Sequence, residues 1–143
     1  MAMYHEVLHD LRLIVTVCTG HVTGREFREA YRQMAGGSEY DEIVIIADST
    51  IMDVSIDDIR ALSGFVAGAA PDDIDETLCA VVLPADQSDW FVKLYNDVSE
   101  HAGSPERTRR YDTVAAAVAA LGRSDDLERI SQVAKKLGAN SSD

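Results

Sequence analysis

The sequence predicts an α/β fold: a mainly parallel sheet of about five strands with an N-terminal antiparallel hairpin strand, flanked by helices, with an extra C-terminal helix. Three observations predict it. Short β-branched runs alternate with stretches of helical period along the chain. Runs 11–18, 43–47 and 77–83 are apolar at nearly every position, as in strands covered on both faces. The helical stretches open at Ser, Thr or Asp and stop at Gly or Pro.

Taken in order, residues 4–8 and 11–18 read as two strands joined at His9-Asp10. Gly20 ends the second. Thr23 and Glu26 then stand at capping-box spacing, with Glu26 expected to reach back to the cap, and Val22 and Phe27 form a hydrophobic staple. Phe27, Ala30, Tyr31 and Met34 make an apolar stripe before Gly36-Gly37. Residues 43–47 form a buried strand. Ser55 caps the next helix, with Asp57 and Asp58 in the first turn, where negative charge suits the helix dipole. Its stripe is Ile59, Leu62, Phe65, Val66 and Ala69, closed by Pro71. Residues 77–83 form another strand, ended by Pro84. Ser88 caps a helix carrying Phe91, Leu94, Tyr95 and Val98, broken at Gly103-Ser104-Pro105. Residues 107–111 read as a polar edge strand. Asp112 or Thr113 caps a helix ending at Gly122, and Ser124 opens the last one, with Leu127, Ile130, Ala134 and Leu137 on one side. The order β-β-α-β-α-β-α-β-α-α implies right-handed parallel crossovers after the opening hairpin.

The chain has 143 residues, one domain's worth, and its 46% apolar and 27% charged composition is that of an ordinary globular domain. Twenty-five acidic residues face 13 basic ones, a net charge of −12. Such a surface repels phosphate backbones and anionic membranes, so neither nucleic acid nor membrane insertion is expected. Cys18 and Cys79 lie inside apolar strand runs and read as core filler. No signal-like or membrane-spanning run is apparent, and a cytoplasmic protein with reduced thiols is expected.

Three stretches carry a family resemblance: Gly20-His21-Val22-Thr23, the strand ending at Asp48 before a Ser-capped helix, and Arg110-Tyr111-Asp112-Thr113-Val114-Ala115-Ala116-Ala117. In this order they resemble the STAS domain, and more closely the SpoIIAA-like proteins, over about residues 3–121. In anti-sigma-factor antagonists of that superfamily the second helix starts Asp-Ser-Ser-Gly-Leu, with the second Ser phosphorylated. Here Asp53-Val54-Ser55-Ile56-Asp57 keeps the Asp and that Ser, so the resemblance makes Ser55 a phosphorylation candidate. It implies a non-enzymatic regulatory or protein-interaction module with a protein partner. The alternative is a carrier for a small molecule or lipid, with an apolar pocket at the carboxyl ends of the strands.

The residues offer no assembled catalytic set. A phospho-receiver needs acids after the first strand and a Lys after the last, and neither is present. Thr19-Gly20 and Thr23 are faintly flavodoxin-like, but Glu26 competes for the same backbone donors. Cys18 and His21 lack a third orienting group, and the four histidines show no metal spacing. No enzyme activity, cofactor or metal is therefore expected. Asp48, Asp53 and Trp90, at or beyond strand ends, and the basic helix face Arg25, Arg28 and Arg32 are the residues expected to form a ligand or partner surface. The organisation reads as a domain over 1–122 and an appended helix with a disordered tail over 123–143. The last helix's stripe has two places to pack, the same chain's sheet face or another subunit. Four earlier helices should already largely cover the sheet, which favours the second and a homodimer.

Overall fold

The central sheet runs in the order β1 (Met3–Leu8), β2 (Leu13–Cys18), β4 (Asp41–Ile46), β6 (Thr77–Val82), β7 (Glu106–Tyr111), with β1 antiparallel to β2 and the remaining pairs parallel. The computed structural model describes residues 2–33, 39–69, 76–83, 90–101, 103 and 106–138; within these, the side chains at 32, 33, 63 and 65–69 lie outside the description. The other elements are β3 (His21–Thr23), α1 (Gly24–Gln33), β5 (Ile51–Asp53), α2 (Ile56–Ala69), α3 (Trp90–His101), α4 (Val114–Ala120) and α5 (Leu127–Lys136). The Gly36-Gly37 stop, Pro71, the Ser88 cap and the expected disorder of 139–143 lie outside the described residues.

The predicted α/β class and hairpin are present, with local differences. The hairpin turns through a 3-10 turn, His9–Leu11, and Arg12 takes a left-handed conformation at φ 50°. Its N–H closes the turn on the His9 carbonyl at 3.2 Å. Leu11 and Arg12 thus belong to the connection rather than to the strand. A second, two-stranded parallel sheet joins β3 to β5 in the register His21↔Ile51, Val22↔Met52, Thr23↔Asp53. Three residues per strand are too few to show an alternation in sequence.

Side chains alternate between two cores. One set, including Met3, Cys18, Val44, Ile46 and Val81, faces Phe27 of α1, Ile59 and Leu62 of α2, and Val92 and Tyr95 of α3. The other, including Leu13, Val15, Val17, Ile43 and Ile45, faces Ala117 and Val118 of α4 and Ile130 and Ala134 of α5. Every β2 residue is buried, as its apolar run requires.

The last helix departs from expectation. Ile130 is 0% exposed and sits within the chain's own second core. Burying such a side chain stabilises by about 1.5–3 kcal/mol. Arg123 latches the connection before α5: its guanidinium donates to the Leu11 carbonyl at 2.9–3.0 Å and to Asp41 Oδ2 at 3.0 Å. Arg129 adds a bidentate pair with Asp10 at 2.6 and 3.0 Å. The stripe is thus spent inside the domain and gives no argument for a second copy. The reason lies in the topology. The order β2, β4, β6, β7 advances in one direction, so right-handed crossovers place α1, α2 and α3 on one face. Only α4 would cover the other without α5.

Candidate functional site

A polar row crosses the sheet face that packs under α1 and α3. Glu42 is the second residue of β4 and is buried. Parallel pairing sets it beside Cys79 on β6, and Cys79 beside Thr108 on β7. The hydroxyls of Thr16 on β2 and Tyr31 on α1 both donate to Glu42 Oε2, at 2.6 and 3.0 Å. The other oxygen, Oε1, lies 3.8 Å from Cys79 Sγ. His5 Nδ1 is 2.8 Å from Thr16 Oγ1. Because that hydroxyl gives its proton to Glu42, it accepts from His5, which fixes the Nδ1–H tautomer. His5 Nε2 is then a buried acceptor with no partner among the described residues. At the next edge, Tyr95 of α3 donates to Glu106, the first residue of β7.

Burial governs the electrostatics. It raises the Glu42 carboxyl to about 8, reinforced by the neighbouring Glu106 and opposed by the hydrogen bonds from Thr16, Tyr31 and Cys79. Burial raises Glu106 as well, offset by the Tyr95 hydroxyl. Cys79 is pushed well above the ordinary thiol range by burial and by Glu42. Burial pushes Cys18 up to about 12 and lowers the His5 imidazole. Two buried thiols without a thiolate-stabilising neighbour are poor nucleophiles. Among the described residues, the donors able to hold a metal are Glu42, Cys79 and Glu106, one atom of each lying within 4.8 Å of the others.

Beside this row is an apolar cavity of about 20 Å³, lined among others by Phe27, Tyr31, Phe91, Tyr95, Cys79 and Thr108. It holds roughly one water. The aromatic lining is a chain of edge-to-face contacts, with Phe27 5.2 Å from Tyr31 and 5.7 Å from Phe91.

The residues predicted for a surface site lie elsewhere. Asp48 is exposed in the turn after β4, beside Ser49 at φ 65°. Asp53 Oδ2 is 3.1 Å from His21 Nε2 across the β3–β5 pair, both exposed. Ser55 caps α2: its Oγ accepts from Asp58 N–H at 3.1 Å, while its own N–H and hydroxyl donate to Asp58 Oδ2 at 3.0 and 2.9 Å. Asp58 also pairs with Arg28 at 3.1 Å. The approach is so close that a Cβ on Gly24 would stand 1.9 Å from Asp58 Oδ2. Arg25 pairs with Glu29 at 3.2 Å; the Arg32 side chain lies outside the described residues. The basic stripe therefore carries ion pairs at both described positions. Trp90 is half-exposed at the start of α3, its ring edge-on to Phe91 at 5.9 Å. Asp48, Asp53 and Ser55 follow one another along the chain, from the turn after β4 through β5 to the start of α2.

Glu26 is a further difference. Thr23 Oγ1 accepts from its N–H at 3.2 Å, as a cap should. The carboxylate, however, accepts from the Ala2 and Met3 N–H groups at 2.6 and 3.1 Å. The unpaired donors of the β1 start win over the reciprocal cap. Sequence reasoning missed Glu42 and Glu106 altogether. The available signal was an acid directly abutting a fully apolar strand run.

Compared with family models, with curated proteins and with solved structures, the chain matches none. Among the described residues no helix is long and apolar enough to cross a membrane.

Proposed function

We propose that the chain is a non-enzymatic regulatory or protein-interaction module of the STAS/SpoIIAA-like kind, meeting its partner through the rim of β5 and the start of α2. One observation carries this reading. Ile51 and Ile56 are 58% and 41% exposed, five positions apart around the Ser55 cap, with the exposed acids Asp48, Asp53 and Asp57 among them. Large aliphatic side chains left in water beside a rigid capped helix start are what a docking surface offers. Ser55 lies in the middle of this rim. A phosphate there would face Asp58, which its hydroxyl now contacts, so modification would work by loosening the rim through like-charge repulsion. The free thiols fit a reducing, cytoplasmic compartment.

The carrier alternative has less to rest on. Among the described residues the aromatic-lined cavity is about 20 Å³, far below the roughly 300–1,000 Å³ of a small-molecule pocket. The larger clefts, about 490 Å³ beside Arg60, Asp97 and His101 and about 370 Å³ beside Lys93, Asp97, Arg109 and Arg110, have charged rather than purely apolar walls. Native mass spectrometry of the purified chain separates the two, since a carrier retains bound mass.

The direct test is a photocrosslinking residue at position 56 in the native host. The expected result is one dominant protein adduct, lost when Ile51→Asp is added. Equal adduct patterns from position 56 and from exposed Glu128 on α5 would sink the reading.

A further inference from the structure

We propose that Glu42, Cys79 and Glu106 form a site for one divalent transition-metal ion of the zinc class, bound by a thiolate and two carboxylates. The three residues come from successive parallel strands, β4, β6 and β7, and their donor atoms lie within 4.8 Å of one another. Glu42 Oε1 and Cys79 Sγ are 3.8 Å apart. Ligands of a tetrahedral zinc ion, at about 2.0 Å for oxygen and about 2.3 Å for sulfur, stand roughly 3.5 Å apart. For this pair the difference is small, and Glu106, within 4.8 Å of both, completes the set by closing in on them.

The donors are already oriented. Thr16 and Tyr31 both occupy Glu42 Oε2, which turns Oε1 toward Cys79. Tyr95 donates a hydrogen bond to the Glu106 carboxylate. Hydrogen bonds of this kind to the far side of a ligand form the outer shell of metal sites. A separate observation comes from Thr108. It is 5% exposed, and its Oγ1 has no hydrogen-bond partner among the described residues, which costs free energy in a buried position. It lies opposite Cys79 in the β6–β7 register and lines the same cavity. That cavity has room for about one water. A water there supplies a fourth ligand beside the thiolate and gives Thr108 its missing partner. The charge also fits: the groups acting on Glu42 are Glu106, Thr16, Tyr31 and Cys79, none cationic. A dication offsets two of the three negative charges that the two carboxylates and the thiolate carry as ligands.

Glu42 and Cys79 are buried and Glu106 is part-exposed, so the ion can enter as the chain folds or from the Glu106 side. The test therefore refolds the full, reduced chain with Co²⁺, and titrates the folded chain in parallel. The expected result is one cobalt per chain after refolding, with a near-ultraviolet thiolate-to-cobalt charge-transfer band that excess zinc removes. C79S should lose the band and C18S should keep it. Zinc at a hundredfold excess over its dissociation constant should raise the melting temperature by roughly 5–10 °C. Should C79S fail to fold, E106Q carries the test: normal circular dichroism with cobalt affinity weakened roughly tenfold or more. The proposal is overturned if the refolded chain takes up no cobalt, if the band survives in C79S, or if zinc leaves the melting temperature unchanged.

Discussion

The two faces of the central sheet are built from the same strands and do different things. Toward α4 and α5, β2, β4 and β6 present Leu13, Val15, Val17, Ile43, Ile45, Ala80 and Val82, hydrocarbon throughout. Toward α1–α3 the intervening positions include Thr16, Glu42 and Cys79, with Thr108 on β7. A polar side chain under a helix costs free energy unless every partner is in place. One face therefore shows what holds the domain together. The other shows where the sequence departs from packing alone, which is where chemistry is to be sought.

The largest effect should come from uncovering the apolar face. Ile130→Ala should cost about 2–5 kcal/mol in urea unfolding, the usual range for emptying a fully buried aliphatic site. Deleting residues 123–143 should do worse, because it exposes Leu13, Val15 and Val17 and removes the Arg123 latch. Aggregation or loss of cooperative unfolding is expected. A soluble, cooperatively folding truncation would show that α4 covers this face unaided.

The polar face should respond to chemistry rather than volume. In chelator-treated protein, Glu42→Gln keeps a carbonyl oxygen for the Thr16 and Tyr31 hydroxyls. Glu42→Leu strands both. The Gln variant should therefore be the more stable of the two by about 1–3 kcal/mol. Equal stabilities, or a more stable Leu variant, would remove the distinction between the faces.

How far the sequence reveals each face follows from the range of its interactions. The apolar runs of β2, β4 and β6 and the Thr23, Ser55 and Thr113 caps are local patterns, readable within a few residues, and they give the α/β class and element order. The destination of α5 is not local. It depends on strand order, which fixes the side each crossover helix takes. The Glu42 row depends on register: its partners Thr16 and Cys79 lie 26 and 37 residues away. A one-residue slip would turn Glu42 to the opposite face. Glu26 shows the same limit from the other side, since its capping-box spacing was right and a distant backbone took the carboxylate.

On the rim the effects are smaller. Ser55→Ala should cost about 1 kcal/mol, the ordinary worth of an N-cap. Ser55→Asp would be nearly harmless at an isolated cap, but here the new carboxylate meets Asp58, whose Oδ2 is 2.9 Å from Ser55 Oγ. It should cost at least as much as the Ala variant in thermal melts. A neutral Ser55→Asp would mean that Asp58 swings away.

The smallest effect is a pH dependence at the same cap. The Ser55 N–H and hydroxyl, with Arg28, hold the Asp58 carboxyl below its ordinary value of 3.8. A carboxyl depressed by folding binds fewer protons in the native than in the unfolded chain. Its contribution is therefore complete above 3.8 and disappears as the pH falls through the lower folded value. Asp58→Asn removes the titrating group while keeping the shape. The stability gap between the wild type and this variant should be constant near neutral pH and narrow once the pH drops below 3.8. A gap that holds its size into strong acid would show that the Asp58 side chain stabilises the start of α2 through neutral hydrogen bonds alone, and that the charge facing Arg28 contributes nothing.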